Sequence, residues 1–146
     1  MTQLSWDDLF TDASHLEFQR LLDMWPKTVS GPLVPIGASA FGDLFFLRPP
    51  GNVEKLDVLV GGVHYAASSF DEFKSLMNSR YWRDMNLLTG GVRLAQSKGH
   101  SRKPTQFFGF SAHPSSSERI DWSSAKPMDA VAWHAVCAKK LDGFSQ

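Results

Sequence analysis

The stretch Phe41-Gly42-Asp43-Leu44-Phe45-Phe46-Leu47, followed by Arg48-Pro49-Pro50-Gly51-Asn52, decides the fold of this chain. The first run is apolar apart from Asp43, which is typical of a strand buried on both faces. The second run favours a turn, because proline fixes φ and glycine permits positive φ. A buried strand followed by a sharp turn predicts that another strand pairs with the first.

The residues after this turn continue the pattern. Apolar and polar side chains alternate in part from Val53 to Val60, which favours a strand with one solvated face. Gly61-Gly62 predicts a tight turn, and Val63 to Ala66 predicts the next strand. We therefore predict an antiparallel β-meander at the centre of the molecule, with a later strand over residues 105–110.

Helical patterns precede the meander. Apolar residues recur at helical spacing at the end of a block between Ser5 and Trp25, where Pro26 ends it. The residues predicted to form its buried stripe are Phe18, Leu21, Leu22 and Trp25. Ser14 and Glu17 have the spacing of a capping box, which predicts that a helix starts there.

Further helical patterns follow the meander. Ser69 and Glu72 form a second capping-box match that predicts a middle helix. A further helix is expected over Tyr81 to Leu88, resuming after Gly90-Gly91. The terminal helix is expected to carry Pro127 in its first turn, with Asp129 near its positive end. The fold class is thus α+β: a single domain over residues 1–146, with a central antiparallel β-meander packed against N-terminal, middle and C-terminal helices.

Composition limits the function classes. The chain has 146 residues, is 42% hydrophobic and contains five Trp, two Tyr and eleven Phe, which indicates a folded globule. No apolar stretch reaches membrane-spanning length, and the N-terminus lacks the basic and apolar segments of a signal peptide. The single cysteine, Cys137, excludes an internal disulfide. We expect a cytoplasmic protein without a membrane partner.

Charge is unevenly distributed although the net charge is zero. Residues 1–73 hold four basic and ten acidic side chains, whereas residues 74–146 hold eleven basic and five acidic ones. Such halves can neutralise each other across an internal interface, which we weight more heavily. Alternatively, an acidic surface can attract a basic partner. The basic run over residues 98–103 lacks aromatic residues, so a solvated loop is favoured over a nucleic-acid site.

The sequence contains no recognisable catalytic, metal or cofactor motif. The five histidines are spread along the chain, and no pair has the spacing of a helical metal site. His134 and Cys137 are three residues apart and are compatible with a nucleophile and its base, but core packing is favoured for a small apolar cysteine. Trp82, Arg83 and Trp122 are candidates for a binding surface, since Trp and Arg anchor many interfaces.

Three stretches of the chain form a characteristic set: Pro35-Ile36-Gly37 with Phe41-Gly42-Asp43-Leu44-Phe45, then Ala67-Ser68-Ser69-Phe70-Asp71-Glu72-Phe73, and then Gln106-Phe107-Phe108-Gly109-Phe110 with Pro127-Met128-Asp129-Ala130-Val131-Ala132-Trp133-His134. In this order they resemble a known bacterial family, the domain at the C-terminus of type VI secretion immunity proteins, which is similar in style to the SUKH immunity group. The resemblance covers about three-quarters of the chain, from the region of Pro35 onward.

The resemblance implies a cytoplasmic immunity protein that binds a cognate effector toxin, often a nuclease, and blocks it without chemistry. No cofactor is implied. On this basis the partner is a protein, and the acidic N-terminal segment is a candidate to occupy a basic cleft in it. The acidic residues of that segment are Asp7, Asp8, Asp12 and Glu17.

Two other function classes remain open at this stage. One is a small-molecule or peptide-binding module, with Tyr65, Trp82 and Trp122 as walls of a groove. The other is a small enzyme built on His113, or on His134 with Cys137. The sequence makes no prediction of the oligomeric state.

Overall fold

A computed structural model describes residues 4–116 and 119–145. They form an α+β domain, as predicted, with a central antiparallel sheet and helices from the N-terminal, middle and C-terminal parts of the chain. Its helices and strands are α1 (Trp6–Leu9), β1 (Phe10–Asp12), α2 (Phe18–Leu22), β2 (Val34–Ser39), β3 (Leu44–Leu47), β4 (Val53–Leu56), β5 (Val63–Ala67), α3 (Phe70–Met77), α4 (Arg80–Asn86), α5 (Thr89–Ser97), β6 (Gln106–Gly109), β7 (Lys126–Asp129) and α6 (Ala130–Leu141).

The main sheet has five strands in the order β1-β2-β3-β4-β5, and every neighbouring pair is antiparallel. Phe45 in the central strand β3 lies opposite Gly37 of β2 and Lys55 of β4. Strands β6 and β7 form a separate antiparallel pair. This pair is joined to the main sheet by a hydrogen bond of 2.8 Å from the Phe108 amide to the Ala40 carbonyl.

The predicted meander is present, but its strands are shorter than the apolar pattern suggests. Strand β3 begins at Leu44 rather than Phe41, because Gly42 adopts a φ of 99° and donates to the Ser39 carbonyl in a turn. Strand β4 ends at Leu56 rather than Val60. There the Asp57 carboxylate accepts hydrogen bonds from the next turn, including 2.8 Å from the Val60 amide.

Two strands of the main sheet were not predicted. β1 lies inside the segment expected to be helical, and β2 begins at Val34, between that segment and the predicted meander. The two strands approach closely at Gly37. A Cβ atom there would lie 2.5 Å from the Thr11 carbonyl oxygen, so only glycine fits this crossing. Long-range pairing therefore overrides the local helical pattern.

The N-terminal helical prediction is only partly correct. Phe18, Leu21, Leu22 and Trp25 are all buried, as expected. The capping box at Ser14 is wrong, because Ser14 donates its amide to the Asp12 carboxylate in a 3₁₀ turn. Helix α2 begins after this turn and is only five residues long. It ends at Leu22, before Pro26.

The later helices match the predictions more closely. Ser69 caps α3 by accepting a 3.0 Å hydrogen bond from the Glu72 amide. Helix α5 includes Gly90-Gly91 instead of starting after them. Pro127 lies in β7 and not in the terminal helix, whose first residue is Ala130. Asp129 caps that helix as expected from its position, since its carboxylate accepts from the Ala132 amide at 3.0 Å.

The core is dominated by aromatic side chains between the sheet and the terminal helix. Trp133 of α6 is fully buried and donates its indole N–H to the Phe41 carbonyl at 2.8 Å. A Cβ at Gly109 would lie 2.6 Å from the Trp133 ring, so the absence of a side chain there lets the helix pack onto β6. The packing of α6 on the strands forms the core, and the N-terminal segment and α3 to α5 lie around it.

Candidate functional site

Two neighbouring grooves lie beside the N-terminal helix. The first, here called the acidic groove, has a volume of about 610 Å³. Its lining includes three of the four predicted carboxylates, of Asp7, Asp8 and Asp12. The remaining lining residues are Trp6, Phe10, Thr11, His15, Ile36, Phe70, Lys74, Met77, Arg102 and Pro104.

The acidic groove combines charge with accessible aromatic surface. Trp6 is 41% exposed and Phe70 is 43% exposed. Phe70 lies at the start of α3, where only Phe73 is buried. The ammonium of Lys74 lies 5.1 Å from the Phe70 ring centroid. Exposed aromatic rings beside carboxylates form a surface suited to a partner with both apolar and basic groups.

Local backbone contacts hold the carboxylates in place. Asp8 closes a capping box on α1, since it accepts hydrogen bonds of 2.7 Å and 3.0 Å from the amide and hydroxyl of Ser5. Asp12 caps the following 3₁₀ turn, and its hydrogen bonds from Ser14 lower its pKa. Among the described residues, the Asp7 side chain makes no hydrogen bond or ion pair, so its exposed carboxylate remains available to a partner.

Arg102 lines the acidic groove and hydrogen-bonds to two of its other lining residues. This residue belongs to the basic run predicted to be a solvated loop, yet its guanidinium is half-buried. It donates to the Thr11 hydroxyl at 2.8 Å and to the Asp7 carbonyl at 3.1 Å. Burial lowers its pKa, while the charges of Asp8 and Asp7 oppose that effect. Arg102 therefore ties the loop before β6 to α1 and β1, across more than ninety residues of sequence.

The second groove, here called the arginine groove, has a volume of about 790 Å³. It shares Trp6 and Met77 with the acidic groove, so the two are adjacent. Its lining contains three guanidinium groups and one carboxylate. Besides the shared Trp6 and Met77, the groove is lined by Leu4, Ser5, Leu9, Asn78, Arg80, Arg83, Asp84, Thr89, Gly90 and Arg93.

Two of its arginines are partly engaged. Arg83, one of the predicted binding residues, donates to the Met77 carbonyl at 2.9 Å. Arg80 lies 4.0 Å from the Asp84 carboxylate, with 87% of its side chain exposed. Asp84 also accepts a short hydrogen bond from the Thr89 hydroxyl. The groove therefore retains an excess of positive charge.

The remaining predicted site residues lie elsewhere. Glu17 pairs with Arg20 at 3.2 Å on the exposed side of α2 and does not line the acidic groove. Trp82 is half-buried against Phe45 and Phe73, and its ring is perpendicular to that of Phe73. These contacts explain Trp82 as packing between α4 and the sheet.

Trp122 is also half-buried and stacks edge-to-face on Phe41, with ring centroids 5.2 Å apart. Tyr65 is 65% exposed on the edge strand β5. Neither the acidic nor the arginine groove is lined by Tyr65, Trp82 or Trp122. The structure thus does not bring these three predicted walls together at either groove.

The histidine and cysteine of α6 face the core. His134 accepts a 3.0 Å hydrogen bond from the Trp25 indole at Nδ1, so its Nε2 carries the proton that it donates to the Gly42 carbonyl at 2.9 Å. Burial lowers the His134 pKa to about 4. Burial also raises the pKa of the Cys137 thiol. Both ring nitrogens of His134 are occupied, so the geometry does not pair it with Cys137 as a base.

His113 is similarly enclosed. It accepts a 3.1 Å hydrogen bond from the Ser115 amide at Nδ1, so Nε2 donates to the Val58 carbonyl at 2.7 Å. Its ring stacks on Trp133 with centroids 6.1 Å apart. These contacts connect the loop after β6 to the turn after β4, which is a structural role.

In residues 4–116 and 119–145, no group of three or more His, Cys, Asp or Glu side chains has metal-binding geometry. Within the same residues, no helix combines the length and apolar character needed to cross a membrane.

Sequence reasoning missed Trp6 as a site residue. The sequence Ser5-Trp6-Asp7-Asp8 could have indicated it, because a helix cap there precedes an aromatic residue and two carboxylates. A four-residue helix cannot bury all its side chains, so one large apolar group there is expected to be exposed. Comparisons with known proteins add no assignment to this site: no protein-family model matches the chain, and no curated protein matches it significantly.

Proposed function

We propose that this protein is a cytoplasmic immunity protein that binds a cognate secreted toxin through the acidic groove and blocks it without performing chemistry. The observation that carries the proposal is the gathering of Asp7, Asp8 and Asp12 beside the exposed rings of Trp6 and Phe70. The likeness to type VI secretion immunity proteins in the residues quoted above supplies the biological class.

The chemistry of the groove supports a protein partner. Trp6 and Phe70 offer apolar surface that a partner side chain can cover, and aromatic anchors of this kind supply much of the binding energy in protein interfaces. The exposed carboxylates of Asp7 and Asp12 flank that surface and favour a basic segment. A nuclease surface that binds phosphates is basic, so its occlusion by an acidic groove is electrostatically favourable.

The test is co-expression with the product of the adjacent open reading frame. The proposal predicts that the two proteins co-purify and that growth is restored when this chain is present. It also predicts that the complex weakens as salt rises, because exposed charges are screened. Absence of both co-purification and protection would contradict the proposal.

Charge variants locate the interface. Asp7→Lys changes an exposed charge with no hydrogen bond among the described residues, so it should slow association about tenfold at low salt without unfolding the protein. Trp6→Ala should increase the dissociation rate, since an aromatic anchor is lost. Asp23→Lys is the matched control, because Asp23 is exposed at the C-terminal end of α2 and lines neither groove. Equal effects of Asp7→Lys and Asp23→Lys would reject the acidic groove as the interface.

A further inference from the structure

The arginine groove has a composition that the acidic groove and its partner do not explain. Arg80 and Arg83 come from α4, whereas Arg93 comes from α5. All three line one cavity, against the single carboxylate of Asp84. Like charges that line one groove repel each other, and an anion bound between them would offset that repulsion.

The state of each arginine indicates which of them is available. Arg83 is half-buried and held by the Met77 carbonyl, so its position is fixed before any ligand arrives. Arg80 contacts Asp84 only at 4.0 Å. Arg93 is exposed and makes no ion pair within the described part of the chain. One oriented guanidinium and two more exposed ones are a suitable set for a multiply charged oxyanion.

The volume of the groove and its remaining lining residues limit which ligands can bind. A volume of about 790 Å³ lies within the range of small-molecule sites, which is roughly 300–1,000 Å³. Hydrogen-bonding groups of Asn78 and Thr89 also line the groove, and its apolar side is formed by Leu9 and Trp6. We propose that the arginine groove binds a small phosphate-bearing molecule, with the phosphates on the arginines and the organic part against Trp6.

The two grooves share Trp6 and Met77, but the three arginines line only the arginine groove, so phosphate binding can be tested without the proposed toxin partner. The direct test is isothermal titration calorimetry of the full chain with ADP, inorganic pyrophosphate and adenosine. ADP and pyrophosphate should bind, and adenosine, which lacks phosphate, should not. Failure of ADP and pyrophosphate to bind at millimolar concentration would overturn the proposal, as would equal binding of adenosine. Binding of a single-stranded oligonucleotide without binding of ADP would also overturn it, in favour of a nucleic-acid site.

Variants tie the binding to the groove. Arg93→Gln and Arg83→Gln should each weaken ADP binding about tenfold, since each removes a charged hydrogen-bond donor. Arg20→Gln is the matched control with the same charge change on α2, and it should leave ADP affinity unchanged. If Arg93→Gln and Arg20→Gln have the same effect, the groove is not the site.

Gly90→Glu provides an independent test with no loss of an arginine contact. A Cβ at Gly90 would meet no atom within 4 Å beyond its chain neighbours and its own helix backbone, so a side chain can begin there without a clash. The new carboxylate would occupy the groove and neutralise part of its charge, so ADP binding should be lost while Gly90→Ala retains it. ADP binding that survives Gly90→Glu would contradict the proposal, and circular dichroism checks that both variants fold.

Discussion

Replacing the buried carboxyl of Asp43 with an amide should change how stability depends on pH. Asp43 is 2% exposed and accepts a hydrogen bond of 2.9 Å from the Val58 amide. Burial raises its pKa to about 7, assisted by the charge of Asp57 and opposed by those of Lys55 and His64. Asn at this position keeps the shape and the acceptor for Val58 but cannot ionise.

The sign and size follow from proton linkage. In the unfolded chain the Asp43 carboxyl ionises near its ordinary pKa of 3.8, whereas in the folded protein it stays protonated up to about pH 7. The folded state therefore holds one more proton between these values, and its stability falls as pH rises. At about 1.4 kcal/mol per pH unit, the loss across this window is about 4 kcal/mol.

His134 produces the opposite slope in an overlapping window. Its pKa is about 4 in the folded state and 6.5 when unfolded, so the unfolded state holds one more proton between these values and stability rises with pH. That gain is about 3 kcal/mol. The two contributions therefore cancel between about pH 4 and 6.5, and they become visible only when one group is removed.

The assay is urea unfolding at intervals from pH 4 to 7, followed by tryptophan fluorescence. The unfolding free energy of Asp43→Asn minus that of the unaltered protein should increase by about 4 kcal/mol across this range. For His134→Gln the corresponding difference should decrease by about 3 kcal/mol between pH 4 and 6.5. A difference for Asp43→Asn that does not change with pH would refute the reasoning, because it would mean that the buried carboxyl titrates as it does in the unfolded chain.

Three further predictions concern the frame that supports the grooves. Gly109→Ala should destabilise the fold by about 2 kcal/mol or more, measured by urea unfolding, because the new Cβ would lie 2.6 Å from the Trp133 ring; Gly90→Ala is the control without such a contact. Asp129→Ala should cost about 1 kcal/mol in the same assay by removing the cap of α6, and an unchanged midpoint would contradict that role. Cys137 should react with a thiol reagent only as fast as the protein opens, since the thiol is buried and its pKa is raised; rapid labelling of the folded protein would show that α6 is not packed as described.

The sequence predicts best where the local pattern and the tertiary environment agree. The α+β class, the strands β3 to β5 and the cap at Ser69 follow from apolar runs, Gly-containing turns and capping chemistry within a few residues. Strand β1 could not be predicted in this way. Its hydrogen bonds go to β2, more than twenty residues away, and its short sequence carries no alternation that separates it from a helix.

The candidate site was predictable only in part, for the same reason. Asp7, Asp8 and Asp12 were identified because they are close in sequence, and the structure places them in one groove. Phe70 and Arg102 join that groove from distant segments, so no spacing rule indicates them. Trp82 and Trp122 show the converse: residue type suggested an interface, but their ring contacts with core phenylalanines decide their environment.

The most direct test of the proposed docking surface is hydrogen–deuterium exchange of this protein with and without the proposed toxin partner. The account predicts that binding slows exchange in residues 5–12 and in the first turn of α3, where the acidic groove lies, while β5 is unchanged. Protection confined to the edge strand β5, with exchange in residues 5–12 unaltered, would contradict it.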